Sequence, residues 1–346
     1  MSAIPYRFVL FLALLPLFPG TLYLNPFPDI EAQPSNAIKV QVDLVSVNVV
    51  VSDSRGRYIT GLRKEQFRLE EDKVEQSITH FSPVDAPFRL VLALDTSSSM
   101  REKLHRIQDE AIRFVEMLHP DDEVAVISFD DQVRWESSFS PDRKRIIRGI
   151  KSTRTGESTQ VYEAVYLCLE KVLGKSESRK TLVLFSDGVD TASHTTSSRE
   201  TIRLAEESDT LIYPIRFNTL YDLYHRGSSP GVKVGPGLSV PLPIPLPGGT
   251  GNTPYPSGRD EQAYQGAARY LRELADKTGG MVFNADTIED LGSAFSKVAE
   301  ELRNQYSIGY ISSNTCRDGK FRKIKISTTQ PEYVARARRG YYAPKS

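Results

Sequence analysis

An aspartate and two serines spaced two residues apart, Asp95, Ser97 and Ser99 in FRLVLALDTSSSM (Phe88 to Met100), have the types and spacing to do chemistry. If extended geometry persists into the turn, the three side chains project to one side, because successive side chains of a strand alternate. A carboxylate flanked by two hydroxyls makes a poor nucleophile site. It makes a good hard-cation site, since Mg2+ prefers oxygen ligands in octahedral array. One Asp and two neutral Ser would leave the ion much of its charge, so that it stays electrophilic toward an outside carboxylate. The competing reading is that Ser97 to Ser99 merely cap the next helix, a role that suits Ser and Asp.

The neighbouring elements position these oxygens. Leu90, Val91, Leu92, Ala93 and Leu94 form an apolar run of strand length, as expected of a strand buried on both faces of a parallel sheet. After Ser99, the positions Leu104, Ile107, Ala111, Phe114, Val115 and Leu118 fall on one helical face. The oxygens therefore sit between the carboxyl end of a strand and the amino end of a helix, where open α/β sheets bind their ligands.

The Asp-x-Ser-x-Ser pattern resembles the metal-ion-dependent adhesion site of von Willebrand factor type A domains. That resemblance implies two more ligands. One is a lone Thr in a Gly-rich loop ahead of a helix, matched by Thr159 in TGESTQVYEAV; the other is an Asp ending a buried strand, matched by Asp187 in TLVLFSDGVD. All five donors are present in the family's order and at its intervals. The chain departs from the pattern in having Glu157 and Ser158 where the family often has a second Gly. The resemblance implies Mg2+ as the ion, with Mn2+ or Ca2+ as substitutes, and a protein partner that supplies a carboxylate. ELADKTGGMVF and LRNQYSIGY are similar to the end of the family's bacterial, exported branch.

Elsewhere the chain alternates strand and helix patterns: a strand over 123–129 with a turn at Asp130 and Asp131, helices over 141–150 and from the Thr159 loop to about 172, a strand over 180–187, a helix over 198–208 and a strand over 211–217. The pattern resumes with a helix over 261–277, a strand over 281–284 and a helix over 287–303. This is the signature of an α/β fold with a doubly wound, mostly parallel, Rossmann-like sheet. Residues 218–258, with PLPIPLP from Pro241 to Pro247, interrupt it as a Pro/Gly-rich insertion. Short strand patterns occupy 38–84 and 304–346. Few of them can stand alone, so the two ends are expected to meet in one small β domain, a β-sandwich into which the type A domain at 88–303 is inserted. Two hairpins packed separately are the alternative. Seven Lys and Arg residues from Lys320 to Arg339 are expected to form a solvated face.

Lys plus Arg and Asp plus Glu are equal at 44 each, which argues against nucleic acid as the main partner. Residues 1–32 read as an export signal, with Arg7 before the apolar stretch from Phe8 to Phe18; an uncleaved anchor is the alternative. The expected location is periplasmic, extracellular or at the cell surface, with peripheral membrane association left open and the oligomeric state undetermined. Cys168 reads as a buried small hydrophobe and a disulfide with Cys316 is left open.

An enzyme is the rival class. Phosphatases of the haloacid dehalogenase type also place an Asp after a first strand, and SDGVD resembles their metal-binding loop. They need an Asp for general acid work two residues after the nucleophile, and this chain has Ser97 there. His80, His105, His119, His194 and His225 include no His-Glu-x-x-His pair, so a zinc protease finds no support. The reading is a binding module and not an enzyme, with a scaffold that never uses its ion as a third possibility.

Overall fold

A computed structural model describes residues 44–82, 87–173, 179–219 and 258–345. All of them belong to one compact unit, Val42–Ser346. The export-signal reading, residues 38–43 and most of the Pro/Gly-rich insertion lie outside the described residues.

The centre is the apolar run before Asp95. It forms β5 (Phe88–Asp95), flanked in parallel by β6 (Glu123–Phe129) and β8 (Arg179–Ser186). Beyond β8 the parallel ladder continues through β9 (Leu211–Phe217) to β10 (Phe283–Ala285). Alternation sends Leu90, Leu92 and Leu94 to one face, where they pack with Ile107 and Phe114 of α1 (Leu104–Met117), Ile146 of α2 (Arg143–Ser152) and Phe295 of α6 (Ile288–Arg303). Val91 and Ala93 point the other way. They meet Val161 and Ala164 of α3 (Val161–Tyr166), Cys168 of the π-helical continuation Leu167–Leu173, Ala205 of α4 (Ser198–Glu207) and Leu271 of α5 (Gly258–Thr278). Helices thus cover both faces, and the doubly wound, mostly parallel sheet is the fold. Each fully buried Leu of β5 contributes about 1.5–3 kcal/mol on one face, and Val91 and Ala93 pack on the other, so the strand that ends in Asp95 is anchored from both sides.

One strand departs from the expected pattern. Val133–Ser140 forms β7, antiparallel to β6 at the sheet edge. Its sequence, VRWESSFS, offers neither an apolar run nor clean alternation, and Trp135 is exposed. The pairing comes from the tight turn at Asp130 and Asp131, which returns the chain along β6.

The two ends of the chain share two further sheets. β1 (Leu44–Ser52), β4 (Ile78–Ser82), β11 (Gln305–Ile311) and β13 (Val334–Arg336) form one, in the order β13-β1-β11-β4. β2 (Phe67–Glu71), β3 (Val74–Gln76), β12 (Phe321–Thr328) and β14 (Gly340–Tyr342) form the other, in the order β14-β12-β2-β3. Val45, Val47, Val49 and Val51 join Phe67 and Leu69 from the amino-terminal strands with Tyr306, Ile308, Tyr310, Ile324 and Ile326 from the carboxyl-terminal ones in a single apolar cluster.

The basic tail is not uniformly solvated. Arg322 is buried, donating to Asp318 and to the Cys316 carbonyl, and Arg336 reaches the fully buried Glu301 at the end of α6. Tyr58 also donates to Glu301, at 2.6 Å. Arginine carries both a long apolar stem and a fork of donors, so alternation with apolar residues did not force it outward. Lys320, Lys323 and Lys325 are exposed. Cys168 is buried and Cys316 exposed, and both are free thiols. Among the described residues no helix is long and apolar enough to cross a membrane.

Candidate functional site

Asp95 ends β5 with its carboxylate fully buried. Its Oδ1 accepts from the Ser97 amide at 3.0 Å and its Oδ2 from the Ser186 hydroxyl at 2.6 Å. The chain then turns through a 3-10 segment, Ser98–Lys103, into α1. Neither Ser97, at the start of that segment, nor Lys103, at the start of α1, makes a side-chain capping bond. The Ser97 and Ser99 hydroxyls lie 3.1 Å apart, and Ser99 donates onward to Asp187 Oδ2 at 3.4 Å. A line of oxygens therefore runs from the end of β5 to the turn after β8.

Asp187 is buried too. Its Oδ1 accepts from the Val189 amide at 3.0 Å and its Oδ2 from Thr219, just past β9, at 2.8 Å. Gly188 has φ +80°, a left-handed conformation that turns the chain sharply below Asp187 and that a side chain would strain.

Thr159 is buried in the loop before α3. Its amide donates to Thr191 Oγ1 at 2.9 Å and its carbonyl accepts from the Thr191 and Ala192 amides, each at 3.0 Å, which bonds it to the loop after Asp187. The residues just before it bond to the serine turn: Gly156 N donates to the Thr96 carbonyl at 2.9 Å and Ser98 to the Glu157 carbonyl at 2.8 Å. Thr159 is thus held by backbone bonds between the two carboxylate-bearing turns.

The acidic pair after β6, read from sequence as a turn, organises this loop. Asp130 is buried and accepts from the Thr96 hydroxyl at 2.9 Å and from Arg134 at 2.6 Å. Asp131 accepts from the Glu157 and Ser158 amides at 3.0 and 2.9 Å and from the Ser158 hydroxyl. That hydroxyl, with the two amides, holds the Asp131 carboxyl down at about 2. A Cβ on Gly156 would stand 2.5 Å from Asp130 Cγ, so the loop can approach the pair only with glycine there. Glu157 and Ser158, the departures from the family pattern, are the residues that make these bonds. Asp130 and Asp131 stand out in the sequence only as a turn, and nothing in the spacing marks Ser186 or Thr219; all four act only once distant loops are brought together.

The electrostatics are those of a site short of positive charge. Burial, and then the nearby Asp187 charge, push Asp95 up to about 7. Burial raises Asp187 against the opposing bonds from Val189, Thr219 and Ser99. Among the described residues neither carboxylate has an ion-pair partner, and no group of three or more His, Cys, Asp or Glu side chains gathers at this site or at any other. The Arg216 charge acts on Asp187 but forms no ion pair with it. Two carboxylates amid hydroxyl oxygens, in a low-dielectric place with no cationic side chain bonded to either, fit a hard divalent ion in charge and in ligand chemistry. Asp190 organises the turn after Asp187, accepting from the Ser193 hydroxyl and the Tyr162 amide, and the His194 amide donates to Glu163.

Residues 90–189 match the family model of the von Willebrand factor type A domain. No curated protein matches the chain. Among solved structures it is similar to proximal thread matrix protein 1 from the mussel byssus, described with a zinc-occupied MIDAS motif, at 14% identity and TM-score 0.45, over 66% of this chain and 48% of that one. It is also similar to BatB from Bacteroides thetaiotaomicron, at 17% identity and TM-score 0.39, over 62% of this chain and 99% of that one. A third is a von Willebrand factor type A protein from Catenulispora acidiphila, at 10% identity and TM-score 0.46, over 83% and 76%. The chain spans about half the length of the mussel protein. The stretch that matches the von Willebrand factor type A domain model runs from the strand leading into Asp95 to the turn after Asp187, and takes in Asp95, Ser97, Ser99, Thr159 and Asp187.

Proposed function

We propose that this protein is an exported, metal-dependent protein-binding module. In this reading Asp95, Ser97, Ser99, Thr159 and Asp187 hold Mg2+, some of them through water, and an acidic side chain of a partner fills the remaining position. The observation that carries it is the line of oxygens linking Asp95, Ser97, Ser99 and Asp187, with two buried carboxylates and no cationic side chain paired to either. A divalent ion held there by so few negative charges would remain a Lewis acid able to take a further carboxylate.

Binding, and not phosphoryl transfer, suits the geometry of Asp95. Both of its oxygens accept hydrogen bonds in a fully buried position, and the residue two places on is Ser97, which cannot act as the general acid. The strands from 38–84 and 304–346 would act together as the carrier of the 88–303 domain, a reading supported by the two sheets in which strands from both ends pair. Capture of partners from the exported fraction, with and without chelator, tests the function. Partners should be lost on chelation and on Asp95→Ala; undiminished capture by Asp95→Ala overturns the proposal.

A further inference from the structure

On the α5 side of the sheet, β9 sends Ile212 into the apolar core and, at its carboxyl end, presents Arg216. There β10 is only three residues long, and Arg216 lies opposite Asn284 in the ladder. The shortened edge leaves a pocket of about 270 Å3 lined by Arg216, Arg272 and Asp276 of α5, Met281, Asn284 and Arg336. Three guanidinium groups thus face one carboxylate across a small space.

The commitments of these groups are unequal. Arg336 is spent on Glu301 and on the Gly279 carbonyl. Asp276 lies 3.7 Å from Arg339. The Arg216 charge acts at a distance on Asp187, yet among the described residues neither Arg216 nor Arg272 has an ion-pair partner, and the Arg216 Nε is buried without an acceptor. A half-buried guanidinium with an unsatisfied Nε has lost water without gaining a partner, and such a loss is costly for a charged group. The group that repairs it is an oxyanion, which accepts side by side from the fork of an arginine. The volume lies below that of pockets for drug-sized ligands, so the anion is small. A planar carboxylate is satisfied by one fork. Arg216 and Arg272 come from a strand and from a helix, and donors arriving from two elements suit the tetrahedral oxygens of phosphate better.

We propose that this pocket binds a small oxyanion of the phosphate class, held by Arg216 and Arg272, in a site separate from the five oxygens around Asp95. It does not rest on the metal-dependent reading. The test is a titration of the full chain with inorganic phosphate in the presence of chelator, followed by calorimetry and by 31P line broadening. Saturable binding is expected, weakened about tenfold or more by Arg216→Gln, the loss expected for one charge-assisted contact. Arg272→Gln, at an exposed position, should weaken it as well and carries the test should Arg216→Gln not fold. Absence of saturable binding, or equal binding by Arg272→Gln and the unaltered chain, overturns the proposal. So does tighter binding of acetate than of phosphate, which would assign the pocket to carboxylates. Binding that survives chelator and Asp187→Asn supports a site distinct from the cation site; loss under both would place the phosphate on adventitious metal and refute it.

Discussion

Replacing Asp95 by asparagine should make the metal-free protein more stable at neutral and alkaline pH while abolishing cation binding. The folded structure raises this carboxyl from its ordinary range near 4 to about 7, first because it is buried and then because Asp187 is close. A group whose folded pKa is raised stabilises the fold fully only below its unfolded pKa, and that contribution is lost as pH rises through the folded pKa. Between about pH 4 and pH 7 the metal-free protein should therefore lose on the order of 4 kcal/mol, from about three pH units at about 1.4 kcal/mol each. Asp187 adds to the loss in the same direction, since burial raises it too. Asparagine keeps the oxygen that accepts from Ser97 and carries no charge. Urea unfolding of chelator-treated protein from pH 5 to pH 8 should show the native stability falling and the Asp95→Asn stability nearly level. Saturating Mg2+ should restore only the native protein. A native stability that stays flat over this range, or an Asp95→Asn protein that is the less stable of the two at pH 8 with chelator, would refute the electrostatic account of the site.

Other consequences follow from the packing. Arg336→Ala leaves Glu301 buried beside Tyr58 and Tyr213 without its cation and should cost about 3–5 kcal/mol in denaturant unfolding; pairing it with Glu301→Gln should recover part of that loss. Gly156→Ala drives a Cβ into Asp130 and Asp131, so Mg2+ affinity measured by calorimetry should fall while circular dichroism is little changed. Leu92→Ala, in a fully buried position of β5, should destabilise by about 2–5 kcal/mol in the same unfolding assay. Burial pushes the Cys168 thiol up to about 12, so a thiol reagent at pH 8 should titrate Cys316 alone in the native protein and both cysteines in denaturant.

The parts legible in the sequence were those whose cause is local. Apolar runs such as Leu90–Leu94 and Leu182–Phe185 announce strands buried on two faces, and the alternation of Tyr306, Ile308 and Tyr310 announces a half-covered one. The serine turn was visible because its three side chains lie within five residues. Asp131 was opaque, since its bonds to Glu157 and Ser158 exist only after β6, β7 and the loop before α3 have met. β7 was missed for a related reason: its mixed polar residues pair by virtue of the preceding turn and not by their own pattern. Arg322 and Arg336 looked like surface charge because their positions alternate with apolar residues, and only the acceptors at Asp318 and Glu301 explain their inward course.

The sharing of sheets between the two ends bears on how this polypeptide matures. β1 finds both its neighbours in β11 and β13, and β2, paired early with β3, finds its other neighbour only in β12, so these strands complete their pairing late. Pairings so remote in sequence carry a high loop-closure cost and slow the search for the native state. During synthesis those early segments wait with bare backbone edges, the condition in which strands stick to other chains. Loss of β11 to β14 would accordingly strip β1 of both its neighbours and β2 of one, leaving a product far more prone to clump than a shortened helix would be.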